Sequence, residues 1–201
     1  EAGAWFQQTD TPGLEGDDTA AGFGVSVPSN AGFRGGIAMR ELEANFNPAL
    51  GFVSRRGVRD YSGHIGYTHR PTGGYWQQLY FVLDGQRIER LGGGLESQRI
   101  AVTPFQLTNR TGDIIFMRSN FENEHLDVDF EISPGIVIPR GDYSFHDHGI
   151  EFSWAAHREF SGRIAVTDGD FFGGKRVRLF GSAVWQPSPR FRTSLGYNIN
   201  D

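Results

Sequence analysis

His146-Asp147-His148 is the densest set of potential metal ligands in the chain. On a β-strand, residues two apart share a face, so His146 and His148 have the placement of two ligands of one ion. Glu151 is close in sequence but of opposite parity, and a polar turn after Pro139-Arg140-Gly141 is the favoured account of the cluster. No metal is therefore assigned, with His146 and His148 as the only candidates. Asp127, Asp129 and Glu131 form a second set, at alternate positions. Strand residues i and i+2 lie about 6.5 Å apart, within the roughly 5 to 9 Å that a pair of glycosidase carboxylates needs. Any strand with a polar face produces such pairs, so the expectation is a charged ladder and no catalytic residue. Like charges this close call for arginine partners, and Arg118, Arg158 and Arg163 are the candidates. Gly92-Gly93-Gly94 lacks the Lys-Ser/Thr of a phosphate loop. Asp168-Gly169-Asp170 offers too few oxygens in register for a calcium loop. Arg55-Arg56 with Arg59 makes a basic spot beside a turn, read as solvated in preference to a lipid-phosphate site. No serine stands in a nucleophile elbow, and no cofactor is expected.

The elements that position these residues are strands. His125-Leu126-Asp127-Val128-Asp129-Phe130-Glu131-Ile132 puts Leu, Val, Phe and Ile on one side and ionisable groups on the other. Phe191, Leu195, Tyr197 and Ile199 oppose Arg192, Ser194, Gly196 and Asn198 in the same way. A period of two is the signature of a half-polar sheet. It recurs over Ala21–Val27, Phe33–Arg40, Asp60–Thr68, Ile150–His157 and Arg176–Trp185. Trp76–Leu83, Ile114–Phe121, Ile136–Ile138 and Arg163–Thr167 read as further strands, and Glu96–Gln106 as a poorly patterned one interrupted by Pro104. Turn signals separate them, among them Pro28-Ser29-Asn30, Asn45–Gly51, Pro71–Gly74, Asn109–Asp113 and Asp168–Gly174. The expectation is about ten to twelve antiparallel strands in one all-β unit over residues 1–201, with no helix. A closed up-and-down barrel is favoured because it leaves no edge strand.

Composition narrows the partners. The 201 residues fit one domain, and 28 glycines with 17 phenylalanines suit many strands and tight turns. A net charge of −5 gives no footing for nucleic acid. The absence of cysteine excludes disulfides and thiolate metal sites. No run approaches the roughly 18 apolar residues of a membrane helix, yet barrel strands are only half apolar. The opening Glu1-Ala2-Gly3-Ala4-Trp5 has neither the basic start nor the apolar run of a signal peptide, so a mature, trimmed or excised chain is expected.

Alternation alone does not decide between lipid and a protein core as the apolar medium. Three features favour lipid: carboxylates at successive polar positions, aromatics near strand ends (Tyr75-Trp76, Tyr143, Phe145, Phe171-Phe172, Trp185, Phe191), and glycines within strands. On that reading His125, Asp127, Asp129, Glu131, Glu151, Arg176 and Arg178 face a water-filled lumen.

A resemblance runs along most of the chain. The stretch Asn45–Tyr61, with Phe46, Asn47, Pro48, Gly51, Phe52, Arg55, Gly57 and Tyr61 at the matching positions, resembles the signature of a bacterial family of unknown function. In that family an outer-membrane-type β-barrel follows a domain similar to family-9 carbohydrate-binding modules. Thr9–Gly13 with Gly16-Asp17-Asp18, then Pro134–Tyr143, then Gly169–Gly174, resemble further family segments in the same order. Ala49 departs from the acidic residue usual there. The resemblance implies a transmembrane barrel in the bacterial outer membrane, of which this chain is an internal part. The carbohydrate-binding-like domain would lie upstream, and further strands, including a terminal aromatic one, would lie outside the chain. It also implies lipid as a partner, oligo- or polysaccharide as a possible one, and passage or docking of a glycan-derived substrate. The alternatives are a soluble glycan-binding β-protein and, less favoured, a glycoside hydrolase.

Overall fold

The computed structural model describes residues 1–49 and 51–201; Leu50, inside the motif stretch, lies outside the described residues. The alternating segments form β1 (Ala2–Gln8), β2 (Thr19–Val27), β3 (Gly32–Leu42), β4 (Val58–His69), β5 (Trp76–Arg90), β6 (Leu95–Asn109) and β7 (Ile114–Leu126). A small hairpin follows, β8 (Phe130–Ser133) and β9 (Ile136–Ile138), and then β10 (Gly141–Trp154), β11 (Phe160–Phe171), β12 (Gly174–Ser188) and β13 (Phe191–Asn200). All but β8 and β9 join one 11-stranded antiparallel meander in chain order.

The sheet is all-β as expected, but it is not a closed barrel. β1 and β13 are its two edges and do not pair with each other. Eleven strands in strict alternation leave the first and last running the same way, so direct closure would require a parallel ladder where every other ladder is antiparallel.

A second correction concerns His125–Ile132. Antiparallel pairing of β7 with β10 stops at Leu126, opposite Gly141. The chain leaves the sheet there, and β8 pairs only with β9. The carboxylates are absorbed by the turn: the Arg140 N–H donates to Asp129 at 2.9 Å and the Gly135 N–H to Glu131 at 2.8 Å. Asp127 accepts from Arg90 at 2.5 Å. The three therefore form no ladder on one strand, and the arginines expected beside them pair elsewhere, Arg118 with Asp84, Arg158 with Asp113 and Arg163 with Glu151.

Pro104 has no N–H to give the ladder, and the β6–β7 register shifts between Val102 and Phe105. The segment Asp168–Gly174 is mostly strand. The β11–β12 turn is only Phe172-Gly173, both with positive φ (44° and 82°), as a tight primed hairpin turn requires. Phe172 holds this costly conformation while its ring packs on Tyr143 and Phe145, each at 5.2 Å between centroids.

At the other end of the sheet, side chains tie three turns together. Asn109 donates to Asp113 and to the Tyr75 hydroxyl, both at 2.8 Å, and Asp113 accepts from the Ala155 N–H at 3.0 Å and from Arg158 at 2.6 Å. The Ala155 N–H, then Asn109, then the charge of Arg158 hold the Asp113 carboxyl below its ordinary range.

Candidate functional site

Directly paired residues share a face, so the register sorts every side chain to one of two sides. One side carries Phe23, Val25, Phe33, Ile37, Ile65, Tyr67, Leu83, Ile100, Phe121, Ile150, Ile164, Val166, Leu179, Trp185, Leu195 and Tyr197. All of these large apolar side chains are exposed, Ile37 by 67%. No second layer of the described residues covers them. Along β12 the apolar run from Val177 to Trp185 covers eight steps, about 26 Å of strand.

That side ends in rings at one margin and charges at the other. Phe33 meets Tyr67 at 4.8 Å, Phe152 meets Trp154 at 4.8 Å, and Trp185 meets Phe160 at 5.9 Å and Phe191 at 5.7 Å. At the opposite margin stand Glu41 with Arg59, Arg87 with Glu89 at 2.7 Å, and His146 with Asp170 at 2.9 Å. His146 and His148 therefore share a face, as their spacing predicted, but they belong to this fringe. His148 bonds Ser119 at 2.8 Å, and no group of three metal-capable side chains occurs among the described residues. His125 lies on this side too, opposite Asp142 and 2.6 Å from it.

The other side is polar and internally paired. Arg40 meets Asp60 at 2.7 Å, Arg118 meets Asp84 at 3.7 Å, Arg176 approaches Asp147 at 4.0 Å, and Arg163 pairs with Glu151. Glu151, Arg176 and Arg178 thus share one face, while His125, Asp127, Asp129 and Glu131 lie apart from them. Sequence reasoning put Arg40 and Asp60 on polar parity but did not single them out. Knowing that they pair requires the β3–β4 register, which the long connection between those strands conceals.

That connection, Glu43–Gly57, carries most of the motif and lies over the polar face. Phe46, 3% exposed, packs with Ala20, Leu42, Val58 and Ile88, and Val53 adds to the cluster. Phe52, in contrast, is 92% exposed. The Asn47 N–H donates to Thr9 Oγ1 at 3.1 Å, the Asn45 N–H to the Asp17 carbonyl at 2.7 Å, and Pro48 accepts from the Gly51 N–H at 3.3 Å. Two stretches that carry the family resemblance therefore touch. Glu43 accepts from the hydroxyl and N–H of Thr19 at 2.7 and 2.8 Å, which lowers its pKa. The Gly57 carbonyl takes the Leu91 N–H at 2.8 Å, and Tyr61 begins the apolar side opposite Met39. Arg55 reaches furthest. It donates to Ser97 at 2.6 Å and lies 3.3 Å from Glu96 and 3.4 Å from Glu124, so the connection between β3 and β4 is latched to β6 and β7.

Two hollows lie on this side of the sheet. One, of about 590 Å³, lies under the connection between Trp5 and Arg55. The other, of about 910 Å³, runs along the polar side of β1 to β6. Compared with known proteins, the chain matches no family model, no curated protein and no solved structure.

Proposed function

We propose that this chain is a large part of a bacterial outer-membrane β-barrel of the family its motifs resemble, with the polar face as lumen and the apolar face against acyl chains. Its role is passage or docking of a substrate, glycan-derived by analogy with the family's companion domain. The observation that carries this reading is the uncovered apolar face lying opposite an ion-paired polar one. A water-soluble sheet this large would bury that apolar area, because exposed patches beyond a few hundred Å² draw proteins into contact with something apolar.

Two further features support it. The ring-lined margin matches one of the two aromatic girdles of a membrane barrel. The apolar band also drifts along the register: the row of Ile37 continues through Gly63, Gly85, Ile100 and Phe121 to His146 in the charged fringe. Such stagger is what tilted barrel strands produce. Closure with antiparallel ladders throughout requires an odd number of additional strands between β13 and β1, supplied by a longer protein. The Arg55 latch then narrows the lumen from within, as infolded loops do in channels, and its pairing with Glu96 and Glu124 gives the constriction both signs of charge. Extraction tests the reading. The protein should sediment with membranes, resist carbonate and dissolve only in detergent. A monodisperse species in detergent-free buffer would contradict it.

A further inference from the structure

Among the aromatic side chains of the polar face, Trp5 has the surroundings of a sugar site. Trp5 lies on the polar side of β1, opposite Gly22. A Cβ at Gly22 would fall 2.7 Å from the indole, so the ring lies flat against the backbone of β2. This flatness depends on glycine, and any side chain there would lift the ring. Trp5 remains 43% exposed and borders the hollow of about 910 Å³, within the usual range for ligand sites.

The floor of that hollow is small residues, Gly24, Gly36, Ala38 and Ser62, so the backbone is open to close approach. Its wall is planar and polar. Asp60, only 4% exposed, is held by Arg40 at 2.7 Å and by Gln86 at 3.0 and 3.1 Å. These contacts fix the Arg40 guanidinium and the Gln86 amide, each with polar atoms not used on Asp60. Arg99, directly opposite Gln86 in the register, adds an exposed guanidinium, and His64 and Asp84 continue the wall.

We infer that this groove binds a pyranose-based oligosaccharide, with one sugar ring stacked on Trp5 and hydroxyls shared among Arg40, Gln86 and Arg99. The chemistry follows from the parts. One face of a pyranose is a plane of C–H groups with slight positive character, and it matches the negative face of an indole. Its rim is a ring of hydroxyls, each both donor and acceptor. Planar forks with fixed geometry bind adjacent hydroxyls in pairs. A phosphate or carboxylate ligand fits less well, because Asp60 and Asp84 place two carboxylates in the same wall. The inference deepens the proposed function, since it rests on the polar face being the watery side of the barrel and names the substrate class docked there.

The test uses the complete barrel, this chain together with the strands that close it, in lauryldimethylamine oxide micelles, which carry no sugar. Maltohexaose and cellohexaose are titrated against it by calorimetry, with intrinsic fluorescence as a second readout. At least one should bind with millimolar or better affinity and quench tryptophan emission. Trp5→Ala should weaken that binding roughly tenfold and abolish the quench, while Trp5→Phe restores part of the affinity. Ala38→Leu, which fills the floor without touching the ion pairs, should also block binding. Folded, micelle-inserted protein that binds neither sugar overturns the inference and leaves the membrane reading standing. Undiminished binding by Trp5→Ala overturns it as well. Binding by a species monodisperse in plain buffer would support the groove while contradicting the membrane placement.

Discussion

Ile37→Arg in bilayer vesicles lowers stability by about 2 to 4 kcal/mol, the depth-dependent range for arginine near mid-membrane on the lipid face of a barrel. Ile37 is centrally placed on β3, between Val25 and Gly63 in the register, and is 67% exposed. In a water-soluble protein, an arginine at so open a position would change stability by no more than about 0.5 kcal/mol. The large effect therefore comes from lipid alone. Ser62→Arg, on the polar side opposite Ala38, supplies the control and should cost far less. Guanidinium unfolding in phosphatidylcholine vesicles measures both. Equal effects for the two variants would contradict the assignment of faces.

Phe46→Ala frees the Glu43–Gly57 connection from the polar face. Phe46 is 3% exposed among Ala20, Leu42, Val58 and Ile88, and truncating a ring so enclosed costs about 3 to 5 kcal/mol. The loss falls on local opening, since the strands beneath keep their own ladders. Trypsin reads it out, because Arg55 and Arg56 lie in the connection. Cleavage there should accelerate by about two to four orders of magnitude, as the open population rises with the lost free energy. Phe52→Ala, altering a 92% exposed neighbour in the same motif, should leave the rate nearly unchanged. Acceleration by Phe52→Ala and not by Phe46→Ala would reverse the assignment of which ring anchors the loop.

The two phenylalanines mark the limit of what the sequence reveals. Both sit in one short motif, yet one is a plug and the other is open, and only contacts with β2, β3, β4 and β5 distinguish them. Where pairing is local, the chain is legible: β12 and β13 follow directly from the alternation over Val177–Trp185 and Phe191–Asn200. β1 was not, because Ala2-Gly3-Ala4-Trp5-Phe6 shows no contrast between its two parities until Gly22 fixes which side the indole takes. Leu126, Val128, Phe130 and Ile132 continue the alternation without a break, so Asp127, Asp129 and Glu131 look like a ladder. The pairing of β7 with β10 ends beneath them, and that end is set by Gly141, fifteen residues on from Leu126. The candidate site suffers most from this. Arg40, Asp60, Gln86 and Arg99 come from four strands, and only register brings them into one groove.

The central claim is that the two faces touch two media. The chain contains no cysteine, so single cysteines can be introduced one at a time and spin-labelled without background. Labels at Ile37, Ile65, Ile164 and Leu195, and at Ala38, Ser62, Arg163 and Ser194 on the other side, report collision with oxygen, which concentrates in acyl chains, and with a water-soluble nickel chelate. The account predicts high oxygen and low nickel accessibility for the first four and the reverse for the second four. Nickel accessibility on both sides, or protection of the first four from both quenchers, would contradict it.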